Sequence, residues 1–297
     1  MCSILARAVR AFRNGIGLEI SSPNKQATLF AGIAHDPVRL DAEMKKPEGP
    51  VLFAIYFTPR SGSSWLTDTL VQAGGLGFPQ EWFNPTFVTQ NAITLNASSM
   101  DEYIALLRRR HPGLGGFSFE ITADHIRHSF GDARAYLERF PAALPSFYLR
   151  RNDIVLQAVS LAKAVESKVF HSPYSSLEDR NRADTTVEYD GAAIAKWLRH
   201  ILHQERALEE MFAQHGISAL RLSYEGITTA GAEAVVALFR AHLGQKERDS
   251  AGIRPKHEKI GTDRNLTFAE TFRRDYPALI DEVAEFRAAV PPHDWPG

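Results

Sequence analysis

The segment Thr58-Pro59-Arg60-Ser61-Gly62-Ser63-Ser64-Trp65-Leu66 concentrates residue types that hold anions. An apolar run, Val51 to Phe57, precedes it, and Leu66, Leu70 and Ala73 follow at helical spacing. A strand that turns directly into a helix brings unpaired backbone N–H groups and the positive end of the helix dipole to one point, which favours negative charge. Gly62 allows the backbone to approach a ligand closely. Ser61, Ser63 and Ser64 add hydroxyls, and Arg60 adds a permanent positive charge. The loop is not a Walker A loop, because Ser63 rather than lysine follows Gly62. It is not a serine-hydrolase elbow either, since Gly62-Ser63-Ser64-Trp65-Leu66 lacks the second glycine. The plainer alternative is a strand–turn–helix connection with a serine as N-cap. Other chemistry-bearing groups carry less. Arg108-Arg109-Arg110 reads as a helix end complementing its dipole. His125/His128 and His200/His203 are i, i+3 pairs without a third ligand, and read as exposed helix histidines.

The elements that must position this loop follow from periodicity. Val51 to Phe57 is continuously apolar and rich in aromatic and β-branched residues, the pattern of a central strand in a parallel sheet with both faces buried. Further strands are expected over Gly115–Ile121, Ser146–Leu149 and Ile217–Leu222. Helices are expected over Met100–Arg110, Asp153–Val169, Tyr189–Gln214, Ala232–Leu243 and most of Asn265–Ala288. Asn152 or Asp153 can cap the second of these and Gly244 stops the fourth. Alternation of strands and helices predicts an α/β chain: a three-layer, P-loop-like fold with a central, mostly parallel sheet flanked by helices. Residues 1–49 read as an N-terminal extension ending in a polar linker (41–50), and residues 50–297 as one domain.

Composition narrows the function. Thirty-four Lys and Arg against 35 Asp and Glu leave a net charge of -1, which argues against a nucleic-acid partner or a polybasic membrane binder. The single cysteine, Cys2, excludes an internal disulfide and any multi-cysteine metal site. No apolar run approaches the ~20 residues of a bilayer span, and the first residues lack the apolar core of a signal peptide. A cytoplasmic protein without integral membrane contact is expected; a homodimer is compatible with the sequence.

Three blocks carry a family resemblance. Pro59 to Leu66 resembles the 5′-phosphosulfate loop of sulfotransferases that use 3′-phosphoadenosine 5′-phosphosulfate (PAPS). Gly77-Phe78-Pro79-Gln80-Glu81-Trp82-Phe83-Asn84-Pro85 is similar to a segment of bacterial carbohydrate sulfotransferases of the trehalose 2-sulfotransferase-like branch. Arg151-Asn152-Asp153-Ile154-Val155-Leu156-Gln157-Ala158-Val159-Ser160 resembles the family's 3′-phosphate block. The resemblance runs from Val51 to Tyr276 and makes residues 50–297 a sulfotransferase domain with PAPS as co-substrate. It implies that Arg60, Ser61, Gly62, Ser63, Ser64 and Trp65 hold the 5′-phosphate and the sulfuryl group, with Arg60 stabilising charge on the bridging oxygen, while Arg151 and Ser160 hold the 3′-phosphate. Asp153, Gln157 and Ser160 fall at i, i+4 and i+7, a polar stripe that can converge with the strand end at Arg151; the competing reading pairs Arg151 with Asp153 or a distant acid. A guanidinium suits phosphate oxygens bidentately. The family's catalytic glutamate falls on Glu81, and its setting between Pro79 and Trp82-Phe83 would raise its pKa by desolvation. Glu120, at a strand end, is the rival base. Lys256, Lys259 and Arg264 belong to a basic stretch that in the family closes over the nucleotide. The lysine common after the family's glycine pair is absent, its positions taken by Phe117 and Ser118.

The implied reaction is in-line transfer of a sulfuryl group to a hydroxyl of a carbohydrate or glycolipid acceptor, a small molecule or a glycan. Sulfuryl carries less charge than phosphoryl, so no metal is expected. Two alternatives stand beside it: an ATP-dependent phosphotransferase with a non-Walker loop, and a non-catalytic nucleotide-binding module. Residues 84–112 and 170–188 are the expected acceptor walls, with Phe83, Phe87, Phe170, His171 and Tyr174 able to stack on sugar faces or simply to pack.

Overall fold

In the computed structural model the described residues are 28–110, 112–169, 185–248, 250, 252–256, 262–293 and 295. Four strands build the sheet: β1 (Val51–Phe57), β2 (Phe117–Ile121), β3 (Ser146–Arg150) and β4 (Leu220–Ser223). All pairings are parallel and the order is β2-β1-β3-β4. The chain leaves β1 toward one edge of the sheet and returns to add β3 on the other side. The crevice beyond the carboxyl ends of β1 and β3 is therefore the switch point, where open parallel sheets place their ligands.

The described helices, in chain order, are α1 (Pro37–Met44), α2 (Ser63–Ala73), α3 (Pro85–Leu95), α4 (Met100–Arg110), α5 (Ala123–Phe130), α6 (Ala133–Leu137), α7 (Ile154–Ser167), α8 (Gly191–His215), α9 (Tyr224–Ala230), α10 (Ala232–His242), α11 (Asp263–Asp275) and α12 (Pro277–Ala288). Side chains alternate across a strand, and β1 shows the result. Phe53, Ile55 and Phe57 join Phe147, Leu149 and Leu222 in one core with α2 and α10. Ala54 and Tyr56 join Phe119, Ile121 and Tyr148 in another with α3, α4, α5 and the C-terminal half of α8. Helices cover both faces, as a fully apolar parallel strand requires. A third apolar cluster holds α7, α8, α11 and α12 together.

The structure departs from the sequence expectations where local geometry overrides pattern. Ile217 is not in β4; its N–H donates to Phe212 O, because Gly216 ends α8 in the left-handed region at φ 67°. The helix expected over Asn265–Ala288 breaks at Tyr276, since Pro277 has no N–H and pushes its predecessor out of the helical region. The polar stretch from 41 is helical through Met44, in α1, whose N-cap Asp36 accepts from the N–H groups of Val38 and Arg39. Leu29 packs into the main core. The arginines ending α4 have partners beyond the helix dipole. Arg108 donates to Gly49 O and pairs with Glu48, while Arg109 reaches Met44 O and Lys46 O. They fasten residues 44–49 to the domain.

Candidate active site at the carboxyl edge of the sheet

The loop after β1 turns at Arg60 (φ 66°) and Gly62 (φ 91°), both left-handed. A β-carbon on Gly62 would lie 2.3 Å from Tyr224 Cδ2, so ring and backbone meet with no room for a side chain. Gly62 is the N-cap of α2, and no side chain caps this helix. The serine N-cap of the plainer alternative is absent. Ser61 Oγ is fully buried without a hydrogen-bond partner. A buried, unpaired hydroxyl is costly unless a ligand satisfies it.

The 3′-block comes to the same place. Arg60 Nε donates to Ser160 Oγ at 3.1 Å, joining residues 100 positions apart. One turn earlier on α7, the buried Gln157 donates to Thr58 Oγ1 (2.9 Å) and to Pro59 O (2.7 Å), tethering the loop to the helix. Asp153 caps α7 by accepting from Leu156 N–H and pairs with Arg273, not with Arg151. Arg151 lies over the Tyr224 ring at 5.0 Å, with Glu225 no closer than 3.9 Å; its buried Nε makes no hydrogen bond. Burial, and next the Arg151 charge, pull the Arg60 pKa down to about 10, which still leaves it protonated at neutral pH. Two like charges buried within mutual reach, beside an unpaired hydroxyl, fit an anionic group that would neutralise both. Phe117 and Ser118 are buried, and Ser118 Oγ donates to Leu76 O.

Those last contacts deliver the acids. Residues 74–80 run along the outer edge of β2. Gly77 N–H donates to Leu114 O at 2.8 Å, a bridge joins Gln80 to Phe119, and Glu120 N–H donates to Gln80 O at 3.0 Å. A β-carbon at Gly77 would meet Ser118 Oγ at 2.3 Å, so this approach needs glycine. Glu81 thereby arrives at the carboxyl end of β2 beside Glu120. Asn84 Nδ2 donates to Glu81 Oε2 at 2.7 Å, and His125 Nε2 stands 3.6 Å from that same oxygen. Burial raises the Glu81 pKa. Glu120 is raised much further, by burial and then by the Glu81 charge, while a hydrogen bond with Ser63 works the other way. Its Oε2 is buried without a partner. Glu120 is 5% exposed, against 27% for the Glu81 side chain. His125, expected on a helix surface, is instead buried; it has the signature of a site residue that spacing alone did not reveal. His200 does lie on a partly buried helix face, bonded to Gln204 at 2.8 Å.

The basic stretch is divided. Lys256 N–H donates to Asp68 Oδ2, which places that backbone beside α2. Arg264 donates to Thr185 O and Glu188, and stacks over Phe268 at 5.3 Å. Lys259, Phe170, His171 and Tyr174 lie outside the described residues. Of the expected sugar-stacking aromatics, Phe83 is wholly buried among Phe119, Phe130 and Phe140, and so is part of the core. Residues 84–112 are mainly α3 and α4 rather than irregular walls.

The candidate site thus gathers cations at the switch point of a parallel sheet and carboxyl groups at the neighbouring strand end, in an α/β fold. The comparisons specify the family. The Stf0 sulphotransferase family model matches residues 118–275, more than half of the chain, and the chain belongs to this family. That match takes in Glu120, Arg151 and Ser160, and lies downstream of Arg60 and Glu81. The chain is similar to trehalose 2-sulfotransferase of Mycobacterium tuberculosis, 23% identical over 264 residues covering 76% of this chain and 96% of that one. It is also similar to trehalose 2-sulfotransferase of Mycolicibacterium smegmatis, 27% identical over 128 residues covering 43% and 45%. The protein is thus a sulfotransferase-family enzyme that moves a sulfuryl group. Among the described residues no helix is long and apolar enough to cross a membrane.

Proposed function

We propose that residues 50–297 transfer the sulfuryl group of PAPS to a hydroxyl of a carbohydrate or glycolipid acceptor, by in-line attack with Glu81 as general base. The observation that carries this reading is the bond from Arg60 to Ser160, which unites the two anion motifs at the switch point. Arg60, Ser61, Gly62, Ser63, Ser64 and Trp65 would hold the 5′-phosphate and sulfuryl oxygens. Arg151 and Ser160 would hold the 3′-phosphate, and the basic stretch with Lys256, Lys259 and Arg264 would supply further cations to the nucleotide. The family assignment favours sulfuryl over phosphoryl transfer, and the names of both relatives support a sugar hydroxyl.

Glu81 is the better base of the two acids because an acceptor must reach it. It is partly exposed, whereas Glu120 is enclosed and its pKa is pushed well up by burial and by the Glu81 charge. In the transfer, an electron pair of the acceptor oxygen forms the new O–S bond as its proton passes to Glu81. The S–O bond to the 5′-phosphate breaks, and its electron pair leaves on the bridging oxygen beside Arg60. The products are a sulfate ester and adenosine 3′,5′-bisphosphate. The elevated pKa of Glu81 makes it a stronger base than an exposed carboxylate.

Incubation with isotopically labelled PAPS and a panel of glycans, read by mass spectrometry, should yield a labelled sulfate ester. Calorimetry should show strong preference for adenosine 3′,5′-bisphosphate over ATP–Mg²⁺. Glu81→Gln should lower turnover about 10²–10⁴-fold with bisphosphate affinity unchanged. Full activity in that variant would remove Glu81 from the mechanism, and ATP–Mg²⁺ binding as well as the bisphosphate would remove PAPS as donor.

A further inference from the structure

His125 begins the search for what else acts at this site, because three contacts define its ring completely. Thr122 is the N-cap of α5, and its Oγ1 accepts from His125 N–H at 3.1 Å. The return contact of this capping box comes from Thr122 N–H to His125 Nδ1 at 3.4 Å. A capping box ordinarily closes with a glutamate or glutamine at the third helical position; here an imidazole closes it. A nitrogen that accepts a backbone N–H carries no proton of its own. In the neutral ring the proton must then sit on Nε2. Nε2 is the atom 3.6 Å from Glu81 Oε2.

Two donors thus converge on one carboxylate oxygen, Asn84 Nδ2 and His125 Nε2, and Oε1 is left to receive a proton. The ring is 8% exposed, with Phe57 edge-on at 6.3 Å. Burial depresses its pKa to about 3; Asp124 opposes that shift and His128 adds to it. Across the working range the imidazole is a neutral donor, not a titrating acid. The charged and titratable neighbours of the pair are Glu120 from β2 and Asp124 and His128 from α5 itself.

We propose that His125 is a positioning residue for Glu81. Its Nε2–H, locked in that tautomer by the α5 cap, closes onto Oε2 when the acceptor is bound and directs Oε1 at the proton. Catalytic hydrogen bonds often stand long without substrate and tighten in the reactive complex. The inference rests on Glu81 being the base, so the test separates the two. His125→Asn retains an acceptor in place of Nδ1 but loses the Nε2 donor. His125→Gln carries an amide N–H toward the Nε2 position and, as a residue type that ordinarily closes a capping box, also offers an oxygen to Thr122 N–H. Asn at this position should lower kcat about 10- to 100-fold with little change in acceptor KM, and should move the acid limb of the pH–rate profile upward, because the carboxylate loses a donor. Gln should restore most of the turnover and the original limb, and Asn should lose both without a matching loss of melting temperature. Activity that instead follows melting temperature across both variants would overturn the role. If Glu81→Gln is inactive while His125→Asn has wild-type turnover and an unshifted limb, only this inference falls. If Glu81→Gln is fully active, the base assignment and the inference fall together.

Discussion

Two sets of buried charges in this protein are built on opposite plans. Beyond β3 and β4, Arg287 donates to both oxygens of the fully buried Glu205 at 2.6 and 3.1 Å, and Arg221 grips Glu209 bidentately at 2.5 and 2.6 Å. There Arg287 and Arg221 each clasp an acid, with the buried Arg150 beside them keeping Nε and Nη1 without a hydrogen bond, and Arg221 together with His293 holds Glu209 down to about 2. At the carboxyl edge of the sheet the charges are sorted instead. Arg60 and Arg151 crowd together after β1 and β3, while Glu81 and Glu120 crowd together after β2. The contrast teaches two uses of charge: in one region acid and cation are clasped pairwise within the frame, and in the other like charges are gathered at neighbouring strand ends.

The two networks also touch. Arg287 donates to Arg151 O (3.0 Å) and Asn152 O (2.6 Å), and Glu225 accepts from Asn152 N–H at 2.9 Å. The paired region thus presents the backbone that carries the site cation.

The largest expected effect breaks the paired side. Arg287→Met strands Glu205 and should destabilise the fold by about 3–5 kcal/mol, read by urea unfolding, and should also weaken bisphosphate binding through the 151–152 backbone. A loss below about 1 kcal/mol would mean that the pair is no more than a surface-type bridge. Next, Arg151→Ala should weaken adenosine 3′,5′-bisphosphate by about 1.5–3 kcal/mol while barely affecting adenosine 5′-phosphate. Equal losses in calorimetry would place the 3′-phosphate elsewhere. The smallest effect sharpens the acid side. Glu120 has a raised folded pKa, so its contribution is intact below the unfolded carboxyl pKa and is lost as pH rises toward the folded one. Glu120→Gln should match the wild type in melting temperature near pH 4. Above that it should gain by up to about 1.4 kcal/mol per pH unit. A constant offset at every pH would show that Glu120 is not held protonated.

Much of the frame was legible in the residues. Val51–Phe57 reads as a doubly buried strand and is one, and Met100–Arg110 is helical to the residue, because long periodic segments state their burial in their pattern. The short helices α6 and α9 were not legible, being too brief for a period to register. α3 was hidden because Asn84-Pro85, a helix cap and first-turn proline, sat inside a motif read for its chemistry. The same applies to His125: its spacing from His128 suggests a surface helix, while its cap and burial make it part of the site.

The local chemistry of the loop was therefore already present in the chain. A glycine that alone tolerates φ 91° against Tyr224, an arginine and three serines at a strand-to-helix turn form an anion loop whatever follows them. Which groups meet across distance was decided only by the sheet. The order β2-β1-β3-β4 brings Ser160 to Arg60 and Arg151 to Tyr224, and lays residues 74–80 along β2 so that Glu81 reaches Glu120 and His125. Turns and periods are read from neighbouring residues, but pairing between distant segments depends on which strand lies beside which, and that is a property of the packed core.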